Sequence, residues 1–231
     1  MNEISLTESL QQTLFRIPLF EGAPESLRAS LTERLDARLY ALEKNEIVAY
    51  QGTVCRVLYV LLEGRVRTDL VDEWGNRVMI ETIVAPRSFA TPHLFSRDQT
   101  LPATFTATMP STLLIMAPRE SVFRLISEEP YLLKNFLHVS GNCNHCTSVR
   151  LRILTQRTVR NRFVAYLLDR PTGPDGWFTA EHNTSQLAHY LCVTRPALSK
   201  EISKMVREGL IAVEGRRYRL LAEQQLRQEM G

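Results

Sequence analysis

Thr184–Ile211 reads TSQLAHYLCVTRPALSKEISKMVREGLI, and its apolar spacing describes two short helices joined by a tight turn. Leu187, Ala188 and Leu191 fall on one helical face, Val193 sits in the turn, and Leu198, Ile202, Met205 and Val206 form the buried stripe of a second helix. Thr184 and Thr194 stand where a hydroxyl can accept from an N–H that the first helical turn leaves unpaired. Pro196 falls within the first turn of the second helix, where a missing N–H is harmless. The exposed side of that helix carries Arg195, Ser199, Lys200 and Ser203, a set able to hydrogen-bond base edges and phosphates in a major groove. Behind it, Gly209-Leu210-Ile211 ends the helical pattern. Residues 212–220 then alternate as two short strands around a Gly-containing turn, a wing with Arg216 and Arg217 at its tip. Amphipathic helix pairs occur in many domains that never touch nucleic acid; it is caps, turn, basic face and wing together that point to duplex DNA.

The charge distribution agrees. From Arg150 onward there are 14 Lys and Arg against 8 Asp and Glu, whereas the first 149 residues hold 14 against 17, so the basic half is the half with the helix pair. A nucleic-acid partner at the C-terminal end, bound in a salt-dependent way, is the consequence. No apolar run is long enough to span a bilayer and Met1–Phe15 is mixed polar, so a cytoplasmic protein with no membrane partner is expected. Cys55, Cys143, Cys146 and Cys192 do not make a disulfide framework, and reduced thiols are the default in that compartment. No Gly-rich phosphate loop or nucleophile–base spacing is present, and no enzyme is expected.

Upstream, residues 7–17 and 24–35 read as two short helices. Strand-like segments follow at Ile47–Tyr50, Val57–Leu62, Gly64–Val71, Arg77–Val84, Phe105–Thr108 and Thr112–Met116, within a set of about seven or eight. Glu63-Gly64 and the hairpin loop Asp72–Asn76 are the clearest turns. Short strands at this spacing make a sandwich, roll or barrel. Pro118–Ile126 reads as a helix, and Pro130 opens a long one that runs to about Thr155. On it Leu133, Leu137, Ser140, Asn144, Thr147, Leu151 and Leu154 alternate by four and three, a heptad seam with a polar middle that can pack against a second copy or against its own β-domain. Thr158–Leu168 is a further helix, Asp169–Gly176 a loop and Trp177–Thr179 a short strand. The expected class is α+β, with a β-roll over 1–128, a long dimerisation helix over 129–157 and a winged helix-turn-helix over 158–231.

In that order the chain resembles the CRP/FNR family of bacterial transcription regulators over essentially its whole length. Tyr50-Gln51-Gly52 followed by Leu58–Val66 is similar to that family's strand pair "G…YYI..G.V", Asp72–Arg77 to its next hairpin, and Thr194–Glu201 to its recognition-helix start S-R-x-x-[LV]-[SG]-[RK]. The resemblance implies a cyclic-nucleotide-binding-like β-roll and a homodimer joined along the long helix. Its recognition helices would enter successive major grooves of a near-palindromic operator, with half-sites about 34 Å apart. RNA polymerase is a further partner if the protein activates. It also implies that Arg195 meets a base edge, that Lys200 and Ser199 meet base or phosphate, and that Thr184, Ser185, Gln186, Arg216 and Arg217 hold phosphates. Pro196 departs from the family's frequent Glu and Cys192 from its frequent Gly, so the operator is expected to differ. A ligand-binding signalling module acting through protein contacts is the alternative of another class. A redox protein using Cys143 and Cys146 is a third.

Cyclic-nucleotide members carry F-G-E-x-x-L followed by R-[ST]-A. Here Phe89-Ala90-Thr91-Pro92-His93-Leu94 is followed by Leu101-Pro102-Ala103, so Gly, Glu and Arg are all missing. Without the Arg no fixed cation meets a phosphate, and without the Glu no acceptor meets a ribose hydroxyl, which argues against cyclic AMP. Phe89, Ala90, Thr91, Pro92, Leu101, Pro102 and Ala103, with Ser140 and Asn144 of the long helix, are the expected effector pocket. An N-terminal iron–sulfur cluster is disfavoured because no cysteine precedes Cys55. Haem, for nitric oxide or another diatomic gas, is the leading effector candidate, with His93, His138, Met79, Met109 and Met116 as possible axial ligands. Cys143 and Cys146, three apart on a helix, are candidates for a metal shared across a dimer or for a thiol switch, against the plainer reading of half-buried packing thiols.

Overall fold

The computed structural model describes every residue except Asn76, Glu181 and Gly231, and the side chains of Glu229 and Met230 also lie outside the description. It divides into two units, Met1–Asn144 and His145–Gly231.

The first unit holds nine strands among its described residues: β1 (Asn2–Ile4), β2 (Arg38–Leu42), β3 (Ile47–Ala49), β4 (Val57–Glu63), β5 (Arg65–Val71), β6 (Arg77–Val84), β7 (Arg87–Phe89), β8 (Thr104–Ala107) and β9 (Thr112–Pro118). They form a five-stranded sheet, β1-β2-β9-β4-β7, and a four-stranded sheet, β3-β8-β5-β6, with antiparallel pairing throughout. Its helices are α1 (Glu8–Leu14), α2 (Glu25–Arg28), α3 (Leu31–Arg34), α4 (Arg119–Glu128) and the first half of α5 (Pro130–Leu154). Leu58 through Leu62 of β4 are all buried, so both faces of this strand are covered and the run is apolar rather than alternating. α1 and α4 lie against it. Inside, burial pushes the Cys55 thiol up to about 11 and the Tyr59 phenol up to about 12, which leaves both neutral packing groups.

Several expectations are corrected. The helix expected over 24–35 is two helices: at Ser30 the backbone N–H turns back to Leu27, as does the hydroxyl, and the regular ladder resumes only after it. β1, β2 and β7 were not expected. Arg38–Leu42 has the residues of a helix, but pairing with β1 on one side and β9 on the other makes it an inner strand with Leu39 and Leu42 buried. The hairpin loop after β5 is present from Asp72, with Asn76 outside the described residues.

The second unit contains the second half of α5, then α6 (Val159–Leu168), β10 (Trp177–Thr179), α7 (Thr184–Tyr190), α8 (Arg195–Arg207), β11 (Ile211–Glu214), β12 (Arg217–Leu220) and α9 (Glu223–Met230). The three strands pair in the order β10-β12-β11. Phe163, Tyr166, Leu187, Leu191, Leu198, Met205 and Tyr218 make its core, and Ile153 of α5 is buried among them.

α5 is thus shared. Leu132 and Phe136 belong to the first core and Ile153 to the second, with Val149 packed against it. Leu133, Leu137 and Leu151 of the heptad seam are 39%, 62% and 64% exposed. Among the described residues no helix is long and apolar enough to cross a membrane.

Gly64 joins β4 to β5 at φ +90°, and a Cβ there would stand 2.6 Å from Thr112 Oγ1 and 3.0 Å from Thr112 Cα. Ala90 is also left-handed, at φ 54° and ψ 12°, although it carries a Cβ. In urea unfolding of the full chain, Gly64→Ala is therefore expected to cost about 3 kcal/mol, from strain plus backbone overlap. Ala90→Gly is expected to raise stability by about 0.5 kcal/mol, the relieved left-handed strain exceeding the added chain entropy. A neutral Gly64→Ala would show that this junction is not tightly packed.

Candidate nucleic-acid interface and sensor site

Asn183, not Thr184, caps α7. Its side-chain oxygen accepts from Gln186 N at 2.9 Å and the Gln186 side chain accepts from Asn183 N at 3.0 Å, a reciprocal capping box that leaves Thr184 as the first helical residue. Gln186, expected to help hold phosphate register, thus has its side-chain carbonyl engaged at the cap; Ser185 is exposed and Thr184 half-buried. Cys192 makes the turn at φ +52°, a conformation that favours Gly. Thr194 caps α8 as expected, accepting from Ala197 N at 3.4 Å, and Pro196 lies in the first turn. Leu198 and Met205 are fully buried and Ile202 partly so, but Val206 is 43% exposed and lies off the buried stripe. The stripe follows the spacing 198, 202, 205, and position 206 has rotated past the core.

Arg195, Pro196, Lys200 and Ser203 are exposed along the other side of α8, with Ser199 half-buried beside them. The wing turns at Gly215, φ +60°, between β11 and β12. Arg216 at its tip is exposed. Arg217 is exposed as well but has partners within the unit: it donates to Asp175 at 2.7 Å and its guanidinium lies 5.2 Å over the Trp177 ring.

Two arginines of α6, absent from the reading of the sequence, support the helix pair. Arg160 donates from Nε to Glu201 Oε1 and from Nη2 to Glu208 Oε2, both at 2.6 Å. Arg162 donates from Nη1 to the carbonyls of Leu191 and Cys192 at 3.1 and 3.3 Å, and from Nε to Gln156 O at 2.9 Å. The pairs that reach α7, the turn and α8 are 29 to 48 residues apart in sequence. Nothing in local spacing marks them.

In the first unit, Phe89 stacks on Tyr59 at 5.2 Å and meets Phe105 in a tilted contact at 5.1 Å, and after Ala90 the chain makes a 3-10 turn, Thr91–His93, containing Pro92. Leu101 and Ala103 are buried and Pro102 is exposed, so an apolar side chain is sealed in at the position compared with the family's Arg. The buried hydroxyls of Thr68, Thr91 and Ser140 have no hydrogen-bond partner among the described residues, a costly state for each. Nothing in the sequence singles out Thr68, because a lone Thr in a β-strand carries no pattern. Asn144 is exposed on α5.

The axial-ligand candidates stand on four different elements and one loop: Met79 on β6, His93 in the 3-10 turn, Met116 on β9, His138 on α5 and Met109 in the loop before β9. His93 is half-buried, and burial pushes its pKa below the usual imidazole range, with Asp98 opposing. On α5 Cys143 is half-buried and Cys146 exposed. No three His, Cys, Asp or Glu side chains among the described residues are grouped so as to hold a metal ion.

Residues 40–129 match the model of the cyclic nucleotide-binding domain, and residues 161–229 that of the Crp-like helix-turn-helix domain. Among solved structures, a CooA mutant from Carboxydothermus hydrogenoformans is similar with a TM-score of 0.66 at 17% identity, covering 93% of this chain and 100% of that one. FixK2 from Bradyrhizobium japonicum is similar with a TM-score of 0.58 at 17% identity, covering 83% and 96%. The catabolite activator protein of Thermus thermophilus is similar with a TM-score of 0.53 at 20% identity, covering 91% and 97%. At these identities the likeness is one of fold. No curated protein matches by sequence. With a cyclic nucleotide-binding domain followed by a Crp-like helix-turn-helix on one chain, the protein belongs to the CRP/FNR family of bacterial transcription regulators.

Proposed function

We propose that this regulator acts as a homodimer that reads a near-palindromic duplex operator, one α8 in each of two successive major grooves, under control of an effector other than cyclic AMP. The observation that carries the DNA reading is the exposed Arg195–Lys200–Ser203 side of a capped and braced α8, beside a wing with Arg216 at its tip. Arg195, in the first turn, has the reach and the planar fork to meet a guanine edge. Lys200, Ser199, Ser185, Thr184 and Arg216 fit phosphate or base contacts that set register. Gln186 and Arg217 have their own partners within the unit, and we assign them the upkeep of α7 and of the wing. RNA polymerase is a partner wherever the operator lies so that the regulator activates.

The exposed leucines support the dimer. Leu133, Leu137 and Leu151 share the heptad seam with Ser140, Asn144, Thr147 and Leu154, and three exposed leucines on one helix are best covered by an identical helix. For the effector, sealed Leu101 offers no cation to a phosphate. The orphaned hydroxyls of Thr68, Thr91 and Ser140 favour a ligand able to hydrogen-bond them. Haem with a diatomic gas is the candidate to test first, with His93, half-buried where the other candidate histidine His138 is exposed, as the axial ligand to replace first.

Four experiments check these readings. Arg195→Ala is expected to weaken operator binding by about 1–3 kcal/mol and to relax base preference; unchanged binding removes the assignment, and a wild-type chain that binds no duplex DNA favours a signalling module acting through protein contacts. The pair Leu137→Asp and Leu151→Asp is expected to turn a dimer into a monomer in analytical ultracentrifugation, and a persisting dimer would reject the seam. Cyclic AMP is expected to leave melting temperature and operator affinity unchanged; haemin is expected to give a Soret band that moves on adding nitric oxide, and a spectrum of plain protein turns the search to organic ligands.

A further inference from the structure

We infer that Arg160 of α6 is a positioning residue for base selectivity: by bridging Glu201 and Glu208 it sets where α8 sits along and about its own axis, and so decides which base edges Arg195 can reach. The inference rests on the DNA reading above.

Glu201 lies within α8 and Glu208 is its C-cap, seven residues and two turns further along the same face, with Cα atoms separated by about 10 Å. A single guanidinium closes both ends of that span with 2.6 Å bonds, and its side chain is only 19% exposed. Because the fork is planar and each edge takes its own carboxylate, sliding α8 along its axis breaks one bond, and rotating α8 weakens both. Arg162, two residues on, binds the carbonyls of Leu191 and Cys192 at the end of α7 and in the turn. Both members of the helix pair are therefore tied by charge-assisted hydrogen bonds to one short helix that carries none of the proposed DNA contacts.

Displacement of α8 bears unequally on the two kinds of DNA contact. Phosphate contacts from long, flexible side chains tolerate shifts of about an ångström, whereas a bidentate base contact fails within that range. Loss of the bridge should thus lower selectivity far more than general affinity for DNA. A merely electrostatic role predicts the reverse, since unmasking two carboxylates near phosphates would weaken all duplexes alike and change the salt dependence.

The test uses the full-length chain and a randomised duplex DNA pool. Wild type is enriched to a motif, and affinities for that motif and for a scrambled duplex are then measured across a salt series. The double variant R160Q/E201Q keeps the net charge of the trio while removing the fork. It is expected to bind scrambled DNA with unchanged affinity and salt slope, but to lose about tenfold in the ratio of motif to scrambled binding. R160K, whose ammonium satisfies one carboxylate at a time, is expected to lose part of that ratio, and it decides the matter if the double variant does not fold. Equal selectivity in all three proteins overturns the bridge and leaves the DNA reading standing, as does a uniform loss on both duplexes. A wild-type chain that enriches no motif overturns the DNA reading itself.

Discussion

One helix has to satisfy two cores and still present a face of its own. Over its 25 residues α5 sends Leu132 and Phe136 into the β-roll and Ile153 into the helix-turn-helix unit, and the 3.6-residue period places Leu133, Leu137 and Leu151 elsewhere on its circumference. At its far end the Arg150 guanidinium lies 4.8 Å over the ring of Tyr190, the last residue of α7. Any rotation of that end therefore bears on the first helix of the DNA-reading pair. Gly141 and the polar residues after it contribute no buried apolar side chain, so the stretch between the two anchored ends is the part of α5 least constrained by packing.

The two units solve the problem of precision in different ways. In the β-roll, precision is steric: Gly64 admits Thr112 because it has no Cβ, and Phe89 is fixed between Tyr59 and Phe105. In the helix-turn-helix unit it is polar. A capping box starts α7, Thr194 starts α8, and arginine forks from α6 tie both to a third helix. An apolar core alone would hold α8 against the unit but leave it freer to slide, because dispersion contacts are non-directional, whereas a two-carboxylate grip is not.

In the β-roll the backbone conformation and the side chains do not point the same way. Ala90 has a left-handed conformation that suits Gly, and the 3-10 turn follows it, yet Leu101 is buried where the resemblance calls for Arg. The matched domain model thus speaks for the roll and not for its ligand.

Periodicity and turn chemistry in the sequence were sufficient for the two helices at Thr184–Ile211, the wing, the long helix, six of the β-roll strands and the order of the units. Each of these depends on neighbours within a few residues or on a repeat along one element, which a linear chain displays directly. Departure from the cyclic-nucleotide cassette was equally legible, because it turns on residue types at single positions. What only the tertiary structure decided involves partners far apart in sequence. β2 is a strand because β1 and β9 flank it, Arg217 is committed because Asp175 and Trp177 reach it, and Arg160 finds Glu201 and Glu208 across more than forty residues. Side chains of one type, an arginine on a helix or a threonine on a strand, look alike in sequence. Burial and the geometry of the neighbour decide whether each is a brace, a contact or an unsatisfied group.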